Sequence, residues 1–192
     1  MTKARLETFS DGVIAILITI MVLDLKVPHG ADWESLAPRL PLFLSYVLSY
    51  TFLGIYWNNH HHMLHSADHI NGKILWANLH LLFWLSLIPF TTGWMGENHA
   101  ATLPTALYGV VLLMAAIAYQ VLQGLLVVHQ GPASRLKDAV GNDTKGKLSL
   151  VCYVIAVPVA LSNQLIAIAL YVFVAMLWII PDRRIESRLG RS

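Results

Sequence analysis

The sequence has few charged residues and only one cysteine. Of its 192 residues, 12% are Asp, Glu, Lys or Arg, whereas 56% are hydrophobic. A chain of this size with so little charge cannot cover a soluble globule with polar side chains, but a lipid bilayer accepts such a surface. The lone Cys152 lies in an apolar run, which excludes an intrachain disulfide framework and a thiol-rich metal site. The composition therefore predicts an integral membrane protein.

Motifs of soluble enzymes and of nucleic-acid binding are also missing. The sequence contains no Gly-rich phosphate cradle, no Ser-His-Asp set and no HExxH pair, and no polar stretch is long enough for a soluble domain. A net charge of +2 is too small to indicate a nucleic-acid partner. We expect neither enzymatic activity nor nucleic-acid binding.

What the sequence does contain is a series of long apolar segments. Crossing a bilayer takes about twenty residues at about 1.5 Å rise per residue. We expect one all-α transmembrane domain over residues 1–192, with six helices at about 5–25, 40–62, 72–95, 104–128, 147–163 and 165–181. Pro104 is expected at the first position of the fourth helix, and Pro158 is expected to kink the fifth. The polar residues 162–164 indicate a tight hairpin between the last two helices.

The basic residues predict the orientation of these helices. With six crossings, the N-terminus, the second and fourth loops and the C-terminal tail lie on one side. That side holds 11 of the 13 basic residues: Lys3, Arg5, Lys73, Arg135, Lys137, Lys145, Lys147, Arg183, Arg184, Arg188 and Arg191. This asymmetry predicts a multi-pass protein of the cell membrane with both termini in the cytoplasm.

The first helix carries two features on different faces. With Ile16 set at zero and about 100° per residue, Ile20 projects at about 40°, Leu23 at about −20° and Thr19 at about −60°. Asp11 projects at about 220°, away from the three aliphatic side chains. The stripe could be ordinary packing surface. If several subunits instead surround an axis, it forms stacked apolar rings, which can gate a channel by dewetting.

A charge at the start of such a helix needs partners. Imidazole and indole N–H groups donate hydrogen bonds to carboxylates, and the topology brings candidates to the depth of Asp11. These candidates are Trp57, His60 and His61 near the end of the second helix, and Trp76 and Asn78 near the start of the third. Arg5 projects at about −20°, on the stripe face, unless the helix is irregular there or the guanidinium turns to a carboxylate such as Glu7 or the Asp11 of a neighbouring subunit.

The histidines permit two further interpretations. His61, His65 and His69 follow one another at intervals of four, with Asp68 between, so a zinc site could be drawn on one helix face, although this signal is weak. A proton relay is the other possibility. Helices three to six lack the second carboxylate or histidine deep in the bilayer that a relay needs. We therefore expect no bound metal and no cofactor.

The first helix resembles a known family. Arg5-x-x-x-Phe9-Ser10-Asp11-Gly12 is similar to the signature of the transmembrane protein 175 family, potassium channels without a carbonyl selectivity filter. Further likeness lies in Leu-Asp-Leu-Lys-Val-Pro at 23–28, in Tyr56-Trp57-x-x-His60-His61 and in Trp76-x-Asn78. The resemblance covers the whole chain and implies a six-helix, single-repeat bacterial member that forms homotetramers.

This resemblance implies a role for each feature of the first helix. Four copies of the helix would line a pore that potassium ions permeate, with Ile16, Ile20 and Leu23 as the constriction and Thr19 as a polar selectivity position. Hydrogen bonds would hold the signature against the following helices; its members would be Arg5, Phe9, Ser10, Asp11, Gly12, Trp57, His60, His61, Trp76 and Asn78. The function predicted is a potassium-selective channel. The alternatives are a proton- or metal-coupled transporter that uses Asp11 and the histidines, and a non-conducting membrane scaffold.

Overall fold

The described chain is entirely helical. The structure is a computed structural model that describes residues 2–67, 69–131, 136 and 143–179. Its helices, in chain order, are α1 (Lys3–Leu23), α2 (Trp33–Leu36), α3 (Leu40–His65), α4 (Gly72–Ser86), α5 (Ile88–Glu97), α6 (Thr102–Gln130), α7 (Thr144–Ala160) and α8 (Gln164–Ile179). A short 3-10 turn, Ala37–Arg39, joins α2 to α3.

Within the described residues, four segments are long and apolar enough to cross a membrane. They are Lys3–Leu23, Trp33–His65, Gly72–Glu97 and Thr102–Gln130, and Gln164–Ile179 is a shorter apolar helix. The third segment is interrupted at Leu87, where α4 ends and α5 begins. Pro89, the second residue of α5, explains the break, because proline has no N–H for an i−4 hydrogen bond and its ring crowds the preceding turn. The predicted single helix over 72–95 is therefore two consecutive helices.

Side-chain caps define where several helices start. Asn71 Oδ1 accepts from Ile74 N at 3.0 Å at the start of α4, and Asp143 Oδ1 accepts from Gly146 N at 3.1 Å at the start of α7. Asn163 Oδ1 accepts from Leu165 N at 3.1 Å, which starts α8 directly after the polar turn. Each cap satisfies one of the amide groups that a helix start leaves without a partner.

Of the two sequence-based expectations about proline, the one for Pro104 is wrong. Pro104 was expected as the first residue of its helix, but α6 begins at Thr102. Pro158 lies inside α7, and the helix ends two residues later at Ala160. Since proline removes only the hydrogen bond to the preceding turn, a position so near the C-terminus leaves little helix beyond it to redirect.

The protomer is built around α6. This helix packs against α4, α5, α7 and α8, whereas α1 packs against α3, α4 and α5. Small residues such as Ala115, Ala118 and Ala156, which are fully buried, allow the helix backbones to approach closely. The helix that carries the signature therefore lies at the edge of the bundle.

Hydroxyl groups link α3, α5 and α6 inside the bundle. Ser49 Oγ lies 2.9 Å from Tyr108 Oη and 2.6 Å from Thr92 Oγ1, and all three side chains are buried. Near the other end of α5, a Cβ atom on Gly96 would lie 2.6 Å from Leu42 Cα. Only glycine permits this approach of α5 to α3, because no side chain stands between the backbones.

Candidate functional site

Burial divides α1 into two faces. Leu6, Ser10, Ile14, Leu17 and Met21 are at most 7% exposed, and their spacing of three and four residues places them on one side of the helix. This side packs against α3, α4 and α5. The remaining residues of α1 are half-buried or exposed among the described residues, and the exposed ones mark the uncovered side of the helix.

The predicted stripe lies on the uncovered side. Ile16 is 57% exposed, Ile20 is 44% exposed and Leu23 is 77% exposed. Phe9, at the start of the helix, is 48% exposed, and Gly12 is exposed as well. Large aliphatic side chains in one exposed row are suited to contact with lipid, with other subunits or with a pore axis.

Thr19 lies beside this row and is also exposed. Its Oγ1 lies 2.9 Å from Ile16 O and 3.1 Å from Ala15 O, so the hydroxyl hydrogen is directed at the carbonyls of its own helix. The oxygen lone pairs remain available on the outer side. Thr19 can therefore offer an acceptor, although not a free donor, to whatever faces α1.

A buried chain of polar side chains joins α1 to α4 and α3. Ser10 Oγ donates to Leu6 O at 2.9 Å and accepts from Asn78 Nδ2 at 2.9 Å. Asn78 Oδ1 lies 2.6 Å from His60 Nε2, and all three residues are fully buried. Because this amide oxygen can only accept, His60 donates from Nε2. Among the described residues His60 Nδ1 has no hydrogen-bond partner.

A second set of contacts joins α1 to α3 along the edge of this buried chain. Lys3 Nζ donates to His65 O at 2.6 Å, and Glu7 Oε1 lies 2.9 Å from His61 Nδ1. Trp57 Nε1 donates to Asp11 Oδ1 at 3.1 Å. Each step of four residues forward along α1 is matched by a step of four backward along α3, as expected for two antiparallel helices. We call these three contacts the α1–α3 ladder.

The structure distributes the predicted anchor residues differently from the sequence-based expectation. Asp11 is half-buried and bonds to the Trp57 indole, whereas the histidines contact other residues. His60 bonds to Asn78 in the interior, and His61 bonds to Glu7. Ser10, one position before Asp11, is the signature residue that enters the core.

Four predicted members lie outside both sets of contacts: Phe9 and Gly12, which are exposed on the helix surface, and Arg5 and Trp76. Arg5 is exposed within regular helix, and its guanidinium has no hydrogen bond or ion pair within the described part of the chain, so neither the irregular helix nor the contact with Glu7 that the sequence left open is present there. Trp76 is 75% exposed and likewise has no hydrogen-bond partner among those residues. Lys3 and Glu7 were missed as partners, although their spacing of four, repeated in Trp57, His61 and His65, is a signal that the sequence carries.

The histidine cluster does not form a metal-binding group within the described residues. The rings of His61 and His65 stack with centroids 6.0 Å apart, and Asp68 lies outside the described residues. No group of three or more His, Cys, Asp or Glu side chains within residues 2–67, 69–131, 136 and 143–179 could hold a metal ion. The cluster instead contributes to the ladder through His61 and through the carbonyl of His65.

These features define a polytopic α-helical membrane protein whose first helix is fastened at one end and uncovered along one face. Residues 5–89, which include all but the first two residues of α1, the ladder except Lys3, and Asn78, match the model of the family described as endosomal/lysosomal potassium channel TMEM175. A potassium channel of Chryseobacterium sp. (strain P1-3) is 52% identical over 192 residues, which is 100% of both chains. The chain belongs to the TMEM175 family of ion channels, and the family is not one of enzymes.

A further relative and a solved structure are also similar to this chain. A potassium channel of Streptomyces collinus is 34% identical over 128 residues, 62% of each chain. The fold matches the crystal structure of a lysosomal potassium-selective channel TMEM175 homologue from Chamaesiphon minutus with a TM-score of 0.80. That match covers 95% of this chain and 97% of the other at 24% identity, so it supports the fold alone.

Proposed function

We propose that the chain forms a homotetrameric, potassium-selective channel in the cell membrane, with four copies of α1 around the pore. The observation that carries this proposal is the exposed row of Ile16, Ile20 and Leu23 on a helix whose opposite face is buried. Around a central axis the row would form three stacked aliphatic rings. Such rings exclude water when narrow, so they can act as the gate.

The selectivity mechanism proposed is dehydration against apolar side chains. The sequence has no Thr-Val-Gly-Tyr-Gly segment, and aliphatic rings supply no oxygen ligands to an ion. Potassium loses its hydration shell more readily than sodium, so a narrow apolar ring favours potassium to a modest extent. Thr19 would add one acceptor oxygen per subunit next to the constriction. The channel needs no resident cofactor, since potassium is the permeant ion.

The two sets of contacts at the start of α1 would serve as its anchor. They fix the helix to α3 and α4 at one end, through Ser10 in the interior and through the ladder at the edge. At the other end of the uncovered row, the Leu23 side chain is 77% exposed and takes part in neither set of contacts. Such an anchor would fix the rotation of α1, and therefore which side chains face the axis.

The orientation proposed places both termini in the cytoplasm. The asymmetry of lysine and arginine supports it, and the anchor would then lie at the cytoplasmic end of the pore. The ladder contains Lys3, His65 and Glu7, and ionisable groups near a membrane surface remain within reach of water. This placement is consistent with their partial exposure.

Ion flux into liposomes tests the function. Purified protein should pass potassium faster than sodium. The flux should rise in proportion to the amount of protein reconstituted, should not saturate with ion concentration, and should not require a pH gradient. Saturable exchange driven by pH would favour the proton- or metal-coupled transporter. No flux of any cation would favour a non-conducting scaffold.

Cross-linking tests the arrangement of α1. In a Cys152→Ser background, which removes the one native thiol, Leu23→Cys should form disulfides between subunits on mild oxidation. Met21→Cys, on the buried face of the same helix turn, is the matched control and should not. Equal cross-linking at both positions, or none at Leu23, would contradict an axis lined by this face.

A further inference from the structure

A narrow, partly open cleft lies between α3, α6, α7 and α8. Of the described residues that line it, none belongs to α1, so it is separate from the proposed pore and from its anchor. One face of α7 forms its floor through Gly146, Ser149 and Tyr153, which follow one another at helical spacing. From Asp143 to Tyr153 this face is about 15 Å long.

Five of the twelve described residues that line the cleft are aromatic. Phe52 and Tyr56 of α3, Tyr119 of α6 and Trp178 of α8 line it together with Tyr153. The rings of Tyr56 and Tyr119 meet edge to face with centroids 6.1 Å apart. Aromatic faces carry negative quadrupole charge and attract cations, and their area also buries a flat apolar body well.

Some polar groups in the cleft have partners: Trp178 Nε1 donates to Ser149 Oγ at 2.9 Å, and Tyr119 Oη donates to Asn59 O at 3.4 Å. Asp143 is the acidic residue among the described residues that line the cleft. Its Oδ1 accepts only the cap hydrogen bond from Gly146 N at 3.1 Å, and no cationic group of the described chain lies within 4 Å of it. A half-buried carboxylate therefore stands at one end of an aromatic cleft without a counter-ion among those residues.

We propose that this cleft binds a hydrophobic monovalent amine, with the ammonium group at Asp143 and the apolar body among the aromatic rings. A cation would be attracted both by the negative charge of the carboxylate and by the negative quadrupole charge of the ring faces. A fatty acid or another amphiphilic anion would place its charge against Asp143 or against the rings. A neutral acyl chain would fill the apolar part but would gain nothing from the carboxylate.

The test is a binding titration on the whole protein in lipid nanodiscs. The probe is dansylcadaverine, an amine with a flat aromatic body, and its neutral partner is N-pentyl dansylamide, which has the same ring without the ammonium. Binding is followed by energy transfer from protein tryptophan, and empty nanodiscs correct for partition into lipid. The amine should bind saturably and about tenfold more tightly than the neutral probe. Trp178→Phe should reduce the transferred signal of the bound amine, since this indole lines the cleft.

Substitution of Asp143 separates charge from structure. Asp143→Asn keeps the oxygen that caps α7, because asparagine is also a good cap, but removes the negative charge. We expect about tenfold weaker binding of the amine and unchanged binding of the neutral probe. Glu34→Gln, which removes an equal exposed charge in α2, far along the sequence from every lining residue, is the control and should leave both unchanged.

A second variant keeps the proposal testable if Asp143→Asn affects folding. Ala116, half-buried on α6, lines the cleft, and Ala116→Phe should fill it and abolish saturable binding of the amine. Equal affinity for the charged and neutral probes, or amine binding that survives both Asp143→Asn and Ala116→Phe, would overturn the proposal. Because the readout is binding, its failure would leave the channel function untouched.

Discussion

The buried chain Ser10–Asn78–His60 makes a sharp prediction about stability. Asn78→Leu keeps a side chain of similar size at a fully buried position and removes both of its hydrogen bonds. Ser10 and His60 do not lose the same share of their hydrogen bonds. Ser10 retains its bond to Leu6 O, whereas His60, whose Nδ1 already has no partner among the described residues, is left with a wholly unpaired ring in that part of the chain.

The expected cost follows from these two bonds. A side-chain hydrogen bond between membrane helices is worth about 0.6 kcal/mol on average, and one in a soluble core about 1 kcal/mol. Leaving a buried polar group unpaired adds about 1–3 kcal/mol. We expect Asn78→Leu to lower the free energy of unfolding by about 2–4 kcal/mol. Ser10→Ala, which removes one bond and leaves His60 paired, should cost only about 1 kcal/mol.

A double-mutant cycle separates the loss of the bond from the penalty on the ring. Unfolding is followed by tryptophan fluorescence during titration of detergent-solubilised protein with sodium dodecyl sulfate, at one fixed protein concentration. In a His60→Phe background the polar ring is absent, so Asn78→Leu should cost at least about 1 kcal/mol less than in the native background. Asn98→Leu, the same exchange at an exposed position, is the control.

Two results would refute this reasoning. One is a cost for Asn78→Leu no larger than that for Ser10→Ala. The other is an equal cost in the presence and absence of the His60 imidazole. Either would mean that the buried imidazole finds another partner, and that Asn78 does not fix His60.

Other predictions concern helix packing and assembly. Gly96→Ala should lower the free energy of unfolding by about 1–3 kcal/mol, because the new methyl group meets the Leu42 backbone, whereas Gly54→Ala, with no atom within 4 Å, should be neutral or slightly stabilising. Both are measured by the same unfolding titration, and equal effects would contradict the close approach. Asp11→Ala should lower the temperature at which the oligomer dissociates in native gels, and Trp57→Phe should lower it similarly because it removes the same bond. If Asp11→Ala kept the dissociation temperature and the activity of the native protein, the proposal that Asp11 anchors α1 would be contradicted.

The sequence predicted the helices well where hydrophobic length is the signal. The signature at Arg5–Gly12 also predicts the family, and a relative that matches over the full chain confirms it. The break at Leu87 was not predicted, because a run of apolar residues hides the local effect of Pro89. The length and hydropathy of a segment indicate whether it can lie in lipid. Neither quantity changes when one residue, here Pro89, lacks its amide hydrogen.

Partners of the signature were harder to predict than its existence. Asp11 drew attention because a carboxylate in a membrane helix is costly, yet the fully buried residue is Ser10. A helical projection places neighbouring residues about 100° apart, so it separates faces but does not say which face meets which helix. Pairing Lys3 with His65 and Glu7 with His61 depends on the register of α1 against α3, which only the packed structure supplies.

The central claim is that the exposed face of α1 gates potassium, and one comparison of fluxes tests it most directly. Ile16→Asn keeps a similar side-chain size but makes one ring polar, so potassium flux into liposomes should rise severalfold over the native protein. Val22→Asn makes the same kind of change at an exposed position of α1 away from the row, at about −120°, and should leave the flux unchanged. Unchanged flux in Ile16→Asn, with protein and oligomer intact, would contradict the account.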